Sequence, residues 1–339
     1  MRIPKRWSLS VVLAIGVAAT VALGDTRGTR DSIGATLDAA YAHFKDLGEG
    51  SNADYIPALA KVDPHMFGIV LVTTDGHVYA TGDVKSEVSI QSISKVFTMA
   101  RVFQESGEAA VRDNVGVDAT GQPFNSIVAI EQYKGHEMNP LVNAGAITVT
   151  SMVKGRTRDE IWKNILDTYD AYAGRRLEVN EDVYRSEAAT NQRNQAIGQL
   201  MFAYEHIKEN PAQAVDIYTE QCSVNVNALD LATMAATLAN GGKNPVTHRV
   251  VLDASHVPAV LAVMATAGLY DDSGKWLFQT GLPAKSGVGG GLIAVAPGKF
   301  GIAVISPPLD KAGNSVRAQR AIAEIVRALH ANPYAVAPR

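Results

Sequence analysis

The residue types best suited to covalent chemistry in this chain are Ser92 and Lys95, in the segment Ser92-Ile93-Ser94-Lys95. Residues three apart share one face of a helix, so these two side chains can meet if a helix begins here. A serine hydroxyl becomes a nucleophile when a base takes its proton, and a neutral lysine amine can be that base. Lowering a lysine pKa from about 10.4 to about 7 costs about 4 to 5 kcal/mol, which burial or neighbouring cations must supply. The segment predicts an activated serine, the alternative being a helix N-terminal serine beside a surface lysine.

A second candidate segment, Lys285-Ser286-Gly287, lies much later in the chain. A Ser-x-x-Lys followed by a later Lys-Thr-Gly is the motif pair of penicillin-recognising enzymes, and here serine stands in place of threonine. We expect Lys285 to support the site as a neighbouring cation. The glycine-rich stretch that follows, residues 287–291, lets backbone approach a ligand closely, so its amides could form half of an oxyanion hole. A flexible turn is the alternative for that stretch.

The elements that would position these segments can be predicted from hydrophobic spacing. Alternating and β-branched residues predict one hairpin over residues 67–81, around Asp75-Gly76, and another over residues 291–306, around Pro297-Gly298. Helical spacing predicts helices over the segments 33–47, 89–103, 158–173, 195–207, 227–239 and 315–329.

Strands at both ends of the chain with helices between them predict an α+β fold. We expect one antiparallel sheet built from N- and C-terminal segments and flanked by terminal helices, with an all-helical insert over about residues 118–266. Residues 25–339 would form a single domain of this kind, and the cleft would lie where the sheet meets the insert.

Composition excludes several classes of function. The net charge of −3 gives no basic surplus for a phosphate backbone, so we expect no nucleic-acid partner. The only cysteine, Cys222, precludes an intramolecular disulfide and is expected to be a small buried apolar residue. The eight histidines are scattered, and Pro140 stands where a zincin motif starting at His136 would need its second histidine. No phosphate-binding loop is present, and we therefore expect no metal and no cofactor.

The N-terminal residues differ from the rest. Arg2, Lys5 and Arg6 precede an uncharged run from Ser8 to Gly24, and the run ends in small residues. This layout predicts a signal peptide over residues 1–24 and hence an exported, periplasmic protein. The alternative is an inner-membrane anchor formed by residues 8–24, which are close to the minimum length for a spanning helix.

Seven sequence blocks stand in order between about Tyr55 and Gly291. They are residues 53–57, 89–97, 139–147, 186–187 with 190–194, 218–223, 269–271 and 285–291. Together these blocks resemble the signature sequences of the serine-dependent glutaminase family, which has a β-lactamase and penicillin-binding-protein-like fold. The resemblance implies hydrolysis of L-glutamine to L-glutamate and ammonia through a glutamyl-serine intermediate, without a cofactor, in a homodimer or homotetramer.

The resemblance also implies a role for individual residues. Ser92 resembles the nucleophile, Lys95 its base, and Tyr270 the tyrosine that relays a proton to the leaving ammonia. The backbone amides of Ser92 and Val288 resemble the two oxyanion donors. The residues that resemble those holding the substrate are Tyr55, Gln91, Asn143, Glu187, Asn194 and Tyr218.

The chemistry of these side chains agrees with that assignment. A zwitterionic amino acid needs a carboxylate for its ammonium group, which Glu187 can supply, and neutral donors for its carboxylate, which Asn143, Asn194 and Tyr218 can supply. Each residue also has an ordinary structural alternative. Asn143 could cap a turn, Glu187 could face solvent, and the tyrosines could be core residues with a bonded hydroxyl.

Two other functions fit parts of the same pattern. A β-lactamase or transpeptidase would keep the Ser-Lys pair, although no Ser-Asp-Asn element stands in the middle of the chain. A non-catalytic amino-acid-binding module would keep the pocket and lack turnover. The predicted export signal departs from the intracellular nitrogen metabolism that the resemblance implies.

Overall fold

The computed structural model describes residues 26–136 and 138–338. The leader or anchor predicted for residues 1–24 lies outside this part of the chain. Within the described residues, no helix is both long enough and apolar enough to cross a membrane.

A five-stranded antiparallel sheet joins the two ends of the chain. Its strand order is β2-β1-β7-β6-β5, so the N-terminal hairpin pairs with the C-terminal one through β1 and β7. A separate two-stranded ladder joins β3 and β4. The strands are β1 (Gly68–Thr73), β2 (Val78–Gly82), β3 (Val88–Ser89), β4 (Asn225–Val226), β5 (Ala284–Ser286), β6 (Gly291–Ala296) and β7 (Phe300–Ile305).

The helices of the described residues surround this sheet and fill the middle of the chain. They are α1 (Thr26–Phe44), α2 (Pro57–Ala60), α3 (Ser94–Ser106), α4 (Glu108–Asn114), α5 (Ile127–Tyr133), α6 (Asn143–Met152), α7 (Arg158–Ala173), α8 (Glu181–Thr190), α9 (Gln192–Ala203), α10 (Pro211–Cys222), α11 (Ala228–Ala239), α12 (Val257–Ala267), α13 (Ser273–Thr280) and α14 (Val316–Ala328).

The sheet is buried on both faces, which explains why its central strands are continuously apolar. One face carries Ile69 and Ile302 into a core shared with α1 and α14, while the other carries Val70 and Ala303 into the larger core that includes α11. Helix α11 lies so close to β7 that a Cβ atom on Gly301 would be 2.1 Å from the Ala236 nitrogen. Only glycine permits this approach.

The predicted α+β class and the antiparallel sheet from both chain ends are confirmed. Both hairpins form, and the helix predicted over 158–173 has those bounds. Asn227 begins α11 with a capping box that also involves Asp230. The helix predicted over 89–103 differs in detail, because it begins with a separate 3₁₀ turn, Gln91–Ile93, before α3.

Between residues 118 and 266 the chain forms helices α5 to α11 and most of α12, together with the short strand β4. Helices α6, α8, α9 and α10 of this region supply one side of a cleft. The other side comes from the 3₁₀ turn that precedes α3 and from the turn between β5 and β6.

Candidate active site

Ser92 lies in a tight, buried turn at the junction of sheet and helices. The 3₁₀ turn that contains it follows β3 and runs directly into α3. Its first residue, Gln91, has a positive φ of 49°, which is uncommon for a residue with a side chain and stores strain beside the serine. The β5–β6 turn packs tightly against the same backbone, since a Cβ on Gly289 would be 2.3 Å from the Ser89 carbonyl oxygen.

Lys95 is the second residue of α3 and is 1% exposed, so its amine does not face solvent. The amine donates to Asn143 Oδ1 at 2.7 Å and, more weakly, to the Leu141 carbonyl at 3.4 Å. Burial lowers the pKa of Lys95 to about 8, against opposing effects of Cys222 and Glu187. A neutral amine has two N–H bonds and one lone pair. With both N–H bonds engaged by these two oxygens, the lone pair is free to accept a proton.

Lys285 and Tyr270 lie against each other behind the serine. The Lys285 amine lies 4.1 Å from the centre of the Tyr270 ring and donates to the Ser286 carbonyl at 2.6 Å. The Tyr270 hydroxyl donates to the same carbonyl at 3.3 Å. Burial raises the pKa of Tyr270 to about 12, while its interactions with Ser92 and Ser286 act to lower it. Tyr270 also has a positive φ of 57°.

Lys285 lies close enough to Lys95 for the two amines to influence each other. Burial is the largest cause that lowers the pKa of Lys95. Burial first and Lys95 second hold the pKa of Lys285 well below its usual range. Because repulsion between like charges is mutual, the expectation that Lys285 acts as a neighbouring cation stays a prediction. Lys285 lies in β5 with no exposed surface and contacts Tyr270.

Two backbone amides at this junction have no hydrogen-bond acceptor. Among the described residues, neither the Ser92 nor the Val288 N–H donates to backbone or side chain. Val288 follows Gly287 in a turn closed by a hydrogen bond from the Gly290 amide to the Gly287 carbonyl at 2.9 Å. Buried amides are almost always paired in proteins, and two unpaired ones beside a serine are suited to binding an oxyanion.

A cavity of about 260 Å³ opens in front of Ser92. Most of the residues that the sequence predicted to bind substrate line this cavity, namely Tyr55, Gln91, Ser92, Asn143, Glu187, Asn194, Tyr218 and Val288. Tyr55 is 54% exposed and therefore lies at its rim. The remaining predicted residues, Lys95, Tyr270 and Lys285, are buried behind the wall and not in it. The structure thus brings all the predicted positions together around one cavity.

Asn143, the first residue of α6, links the buried lysine to the polar wall. Its Oδ1 accepts from the Lys95 amine and from the Tyr218 hydroxyl, the latter at 3.2 Å. Its Nδ2 donates to Asn194 Oδ1 at 2.9 Å. A neutral amide therefore stands where a carboxylate would hold Lys95 in its charged form.

Among the described residues, Glu187, on α8, is the one carboxylate that lines this cavity. Its Oε2 accepts from Gln91 Nε2 at 3.2 Å. Burial raises the pKa of Glu187 to about 7, while Gln91 and Lys95 act to lower it. A desolvated carboxylate beside open space suits an ammonium ligand, which would stabilise the charged form.

Six residues of the wall were not among the predicted site residues. Three of them, Ile56, Thr190 and Asn191, lie inside the recognised sequence blocks. Phe124 and Asn125, from the loop before α5, and Arg193, from the first turn of α9, also line the cavity. The Phe124 ring packs against Tyr270 with centroids 4.8 Å apart and the ring planes tilted by 42°. An aromatic residue within the polar, proline-containing loop was the one available signal for Phe124, while Arg193 stood inside the recognised 190–194 block.

Cys222 is a buried thiol 3.9 Å from the Ser94 hydroxyl. Burial raises its pKa to about 12, so it is protonated and unreactive at neutral pH.

An antiparallel sheet flanked by helices, with a Ser-x-x-Lys turn at its junction with a helical region, defines the serine β-lactamase-like class of fold. A family model described as Glutaminase matches residues 50–334. Among relatives, a glutaminase of Colwellia psychrerythraea is 52% identical over 296 residues, covering 87% of this chain and 95% of the relative. A glutaminase of Escherichia coli is 46% identical over 298 residues, covering 88% and 96%.

Solved structures similar to this chain are also described as glutaminases. A structure described as a probable glutaminase, ybaS, has a TM-score of 0.89 and 44% identity, covering 90% of this chain and 99% of its own. A Bacillus glutaminase has a TM-score of 0.80 at 28% identity, covering 89% and 99%. The chain belongs to the glutaminase family.

Proposed function

We propose that this protein hydrolyses L-glutamine to L-glutamate and ammonia, with Ser92 as nucleophile and Lys95 as its base. The observation that carries the proposal is the state of the Lys95 amine. It is buried, its pKa is lowered to about 8, and both acceptors around it are neutral oxygens. Such an amine is uncharged in a useful fraction of molecules near neutral pH and can take a proton from serine.

The first half of the cycle forms an acyl-enzyme. The Ser92 proton moves to the Lys95 amine while Oγ bonds to the carboxamide carbon of glutamine. The negative charge on the former carbonyl oxygen is stabilised by the free amides of Ser92 and Val288. The carbon–nitrogen bond then breaks, and the proton held by Lys95 passes through the Tyr270 hydroxyl to the departing nitrogen, which leaves as ammonia.

The second half regenerates the serine. A water molecule gives its proton to Lys95 and its oxygen to the acyl carbon, and the ester bond to Ser92 breaks as Oγ takes a proton back. The sum is one glutamine and one water converted to one glutamate and one ammonia.

The polar wall supports the choice of an α-amino acid as substrate. The Glu187 carboxylate faces the cavity and suits an ammonium group, and the amides and phenol of Asn143, Asn194 and Tyr218 provide neutral hydrogen-bonding groups. The family match and the glutaminases among the relatives support glutamine as that amino acid.

The direct test is ammonia release from glutamine and asparagine by the purified protein and by Ser92→Ala. We expect the parent to release ammonia from glutamine and the variant, with an unchanged circular dichroism spectrum, to release none. A variant that keeps more than a trace of turnover would rule out Ser92 as nucleophile. Hydrolysis of a chromogenic cephalosporin in place of glutamine would favour the β-lactamase alternative, and glutamine binding without ammonia would favour the binding module.

We also propose that the protein is exported and assembles as a homodimer or homotetramer. The basic residues Arg2, Lys5 and Arg6 before the uncharged run support export. Fractionation of cells that express the full chain and light scattering of the purified protein test these two points. Protein found wholly in the cytoplasm, or a monomer at micromolar concentration, would refute the respective point.

A further inference from the structure

The loop before α5, residues 115–126, forms a wall of the site. It is held both by local hydrogen bonds, such as the one from the Ser126 N–H to the Pro123 carbonyl at 2.9 Å, and by residues distant in the sequence. Two of its successive carbonyls accept hydrogen bonds from other elements. The Phe124 carbonyl accepts from the Asn143 backbone N–H at 2.8 Å, and the Asn125 carbonyl accepts from Arg193 Nε at 2.9 Å. The Phe124–Asn125 segment is therefore tied to the first turns of both α6 and α9.

The hydrogen bond to the Asn125 carbonyl is the main polar contact of Arg193 among the described residues. Arg193 is exposed, and within the described part of the chain its guanidinium forms no ion pair with a carboxylate. Arg193 therefore does not act through a surface salt bridge, as many exposed arginines do. Its Nε instead donates to the Phe124–Asn125 segment, and the Phe124 ring packs against Tyr270.

Several contacts hold Tyr270, and the Phe124 ring is one of them: the Ser273 hydroxyl also donates to the Tyr270 carbonyl at 2.7 Å. Tyr270 lies in a 3₁₀ turn at positive φ, with the Lys285 amine against its ring and its hydroxyl bonded to the Ser286 carbonyl at 3.3 Å. Phe124 is the aromatic neighbour that packs on it. A shift of the Phe124 ring would let the phenol move relative to Ser92.

We infer that Arg193 is a positioning residue for proton delivery: by bonding the Asn125 carbonyl it seats Phe124 against Tyr270 and so fixes the phenol for protonation of the leaving nitrogen. This inference rests on the proposed function. It assigns to Arg193 no contact with the substrate head group and no part in the attack by Ser92.

Leaving-group chemistry separates this role from a binding or a purely structural one. Ammonia must be protonated to leave, whereas the thiolate of a γ-thioester leaves without a proton, since thiols are far stronger acids than ammonia. Glutamine and the γ-thiomethyl ester of L-glutamate share the same head group. Any loss of head-group binding would therefore lower kcat/KM for both substrates, while misplacement of Tyr270 would lower it for glutamine alone.

The experiment compares Arg193→Gln with Arg193→Lys and a matched control. Arg156, whose side chain is 91% exposed, supplies the control variant Arg156→Gln. We expect Arg193→Gln to lower kcat/KM for glutamine by about 10- to 100-fold and to leave the thioester within about 2-fold of the parent. Arg193→Lys, which keeps one donor, should recover part of the loss, and Arg156→Gln should match the parent on both substrates.

A second arm tests the path through Phe124. Phe124→Leu should show the same preference for the thioester, and the double variant Arg193→Gln/Phe124→Leu should lose little more than Phe124→Leu alone, since both changes act on one contact. Equal losses on the two substrates, no loss on glutamine, or fully additive losses would each overturn the inference. Failure of the proposed function would look different, because the parent would then release no ammonia from glutamine, or Ser92→Ala would still release it, whatever happens at Arg193.

Discussion

The cleft has two sides that are built in opposite ways. On the reaction side, Gln91 and Tyr270 have positive φ angles. Within the described part of the chain, two lysines there are buried without a carboxylate partner and two amides lack acceptors. On the recognition side, Asn143 is hydrogen-bonded to both Asn194 and Tyr218.

This difference shows which side of the cleft lowers the stability of the fold. The reaction side keeps groups in strained, desolvated states that only catalysis uses, so replacing them should remove activity without harming stability. The recognition side contains polar groups that satisfy each other, so changes there should alter affinity and have smaller effects on turnover. The following variants test that contrast, beginning with the largest effect.

Of these variants, Lys95→Met should cause the largest loss of activity on the reaction side. We expect kcat/KM for glutamine to fall at least about 10⁴-fold, as when a member of a catalytic unit is removed. The free energy of unfolding should stay the same or rise, because a long apolar side chain replaces a buried amine.

The pH dependence of stability gives that variant a second measurement. The folded pKa of Lys95 is lowered to about 8 from 10.5, so between these values the unfolded chain binds more protons and the stability of the parent rises with pH. Lys95→Met should lack this part of the slope in chemical denaturation between pH 8 and 10.5. A Lys95→Met variant that keeps about 1% or more of the parent activity, or that is clearly less stable than the parent, would contradict this account of the reaction side.

Val288→Pro should delete one oxyanion donor without disturbing the turn. Neither Val288 nor Gly289 has a positive φ, and Val288 occupies the second position of a turn closed by Gly290, where proline fits. We expect kcat for glutamine to fall about 10²- to 10³-fold with thermal stability unchanged. Val288→Ala, which keeps the N–H, is the control and should retain most of its activity. Equal losses in both variants would show that the side chain matters and the amide does not.

Glu187→Gln should break the recognition side instead. Loss of the charge opposite the substrate ammonium should raise KM for glutamine by about 10- to 100-fold, since hydrogen bonds to charged groups contribute about 1.5 to 3 kcal/mol. An analogue of glutamine without the α-amino group should be hydrolysed equally by variant and parent. The matched control is Glu181→Gln on the same helix, whose side chain is 63% exposed and which should behave as the parent. A fall in kcat with KM unchanged would mean that Glu187 acts in the reaction and not in substrate binding.

The pH profile should show the smallest effect and report on both sides together. Lys95 acts as a base when neutral, above its pKa of about 8, and Glu187 binds ammonium when charged, above its pKa of about 7. Both requirements make kcat/KM rise with pH, and between pH 7 and 8 the neutral fraction of Lys95 grows from about a tenth to about a half, a roughly 5-fold gain.

Asn143→Asp sharpens the pH prediction. A carboxylate at 2.7 Å from the Lys95 amine would favour the ammonium form and move the rising limb to higher pH. A profile that is flat between pH 6 and 9, or a limb that moves to lower pH in Asn143→Asp, would contradict a neutral Lys95.

The sequence predicted the sheet and the site because their signals are local or ordered. Hairpin turns at Asp75-Gly76 and Pro297-Gly298 and the apolar strands around them define the antiparallel sheet. The ordered blocks name the residues that the fold then gathers around one cavity.

What the sequence left open depends on distances between remote segments. The spacing of Ser92 and Lys95 could not reveal that burial lowers the lysine pKa, because burial comes from elements far apart in the chain. The separate 3₁₀ turn at Gln91–Ile93 follows from a positive φ that helical spacing does not encode. The place of Phe124 against Tyr270 is likewise a contact between loops about 150 residues apart, beyond any local pattern.

The most direct test of a glutamyl-Ser92 intermediate is partition of the acyl group between water and hydroxylamine. Glutamine and the γ-thiomethyl ester of L-glutamate should give the same ratio of γ-glutamyl hydroxamate to glutamate at each hydroxylamine concentration, because both would pass through one acyl-enzyme, and Ser92→Ala should give neither product. A ratio that changes with the leaving group would mean that water attacks the bound substrate directly, and would contradict covalent catalysis by Ser92.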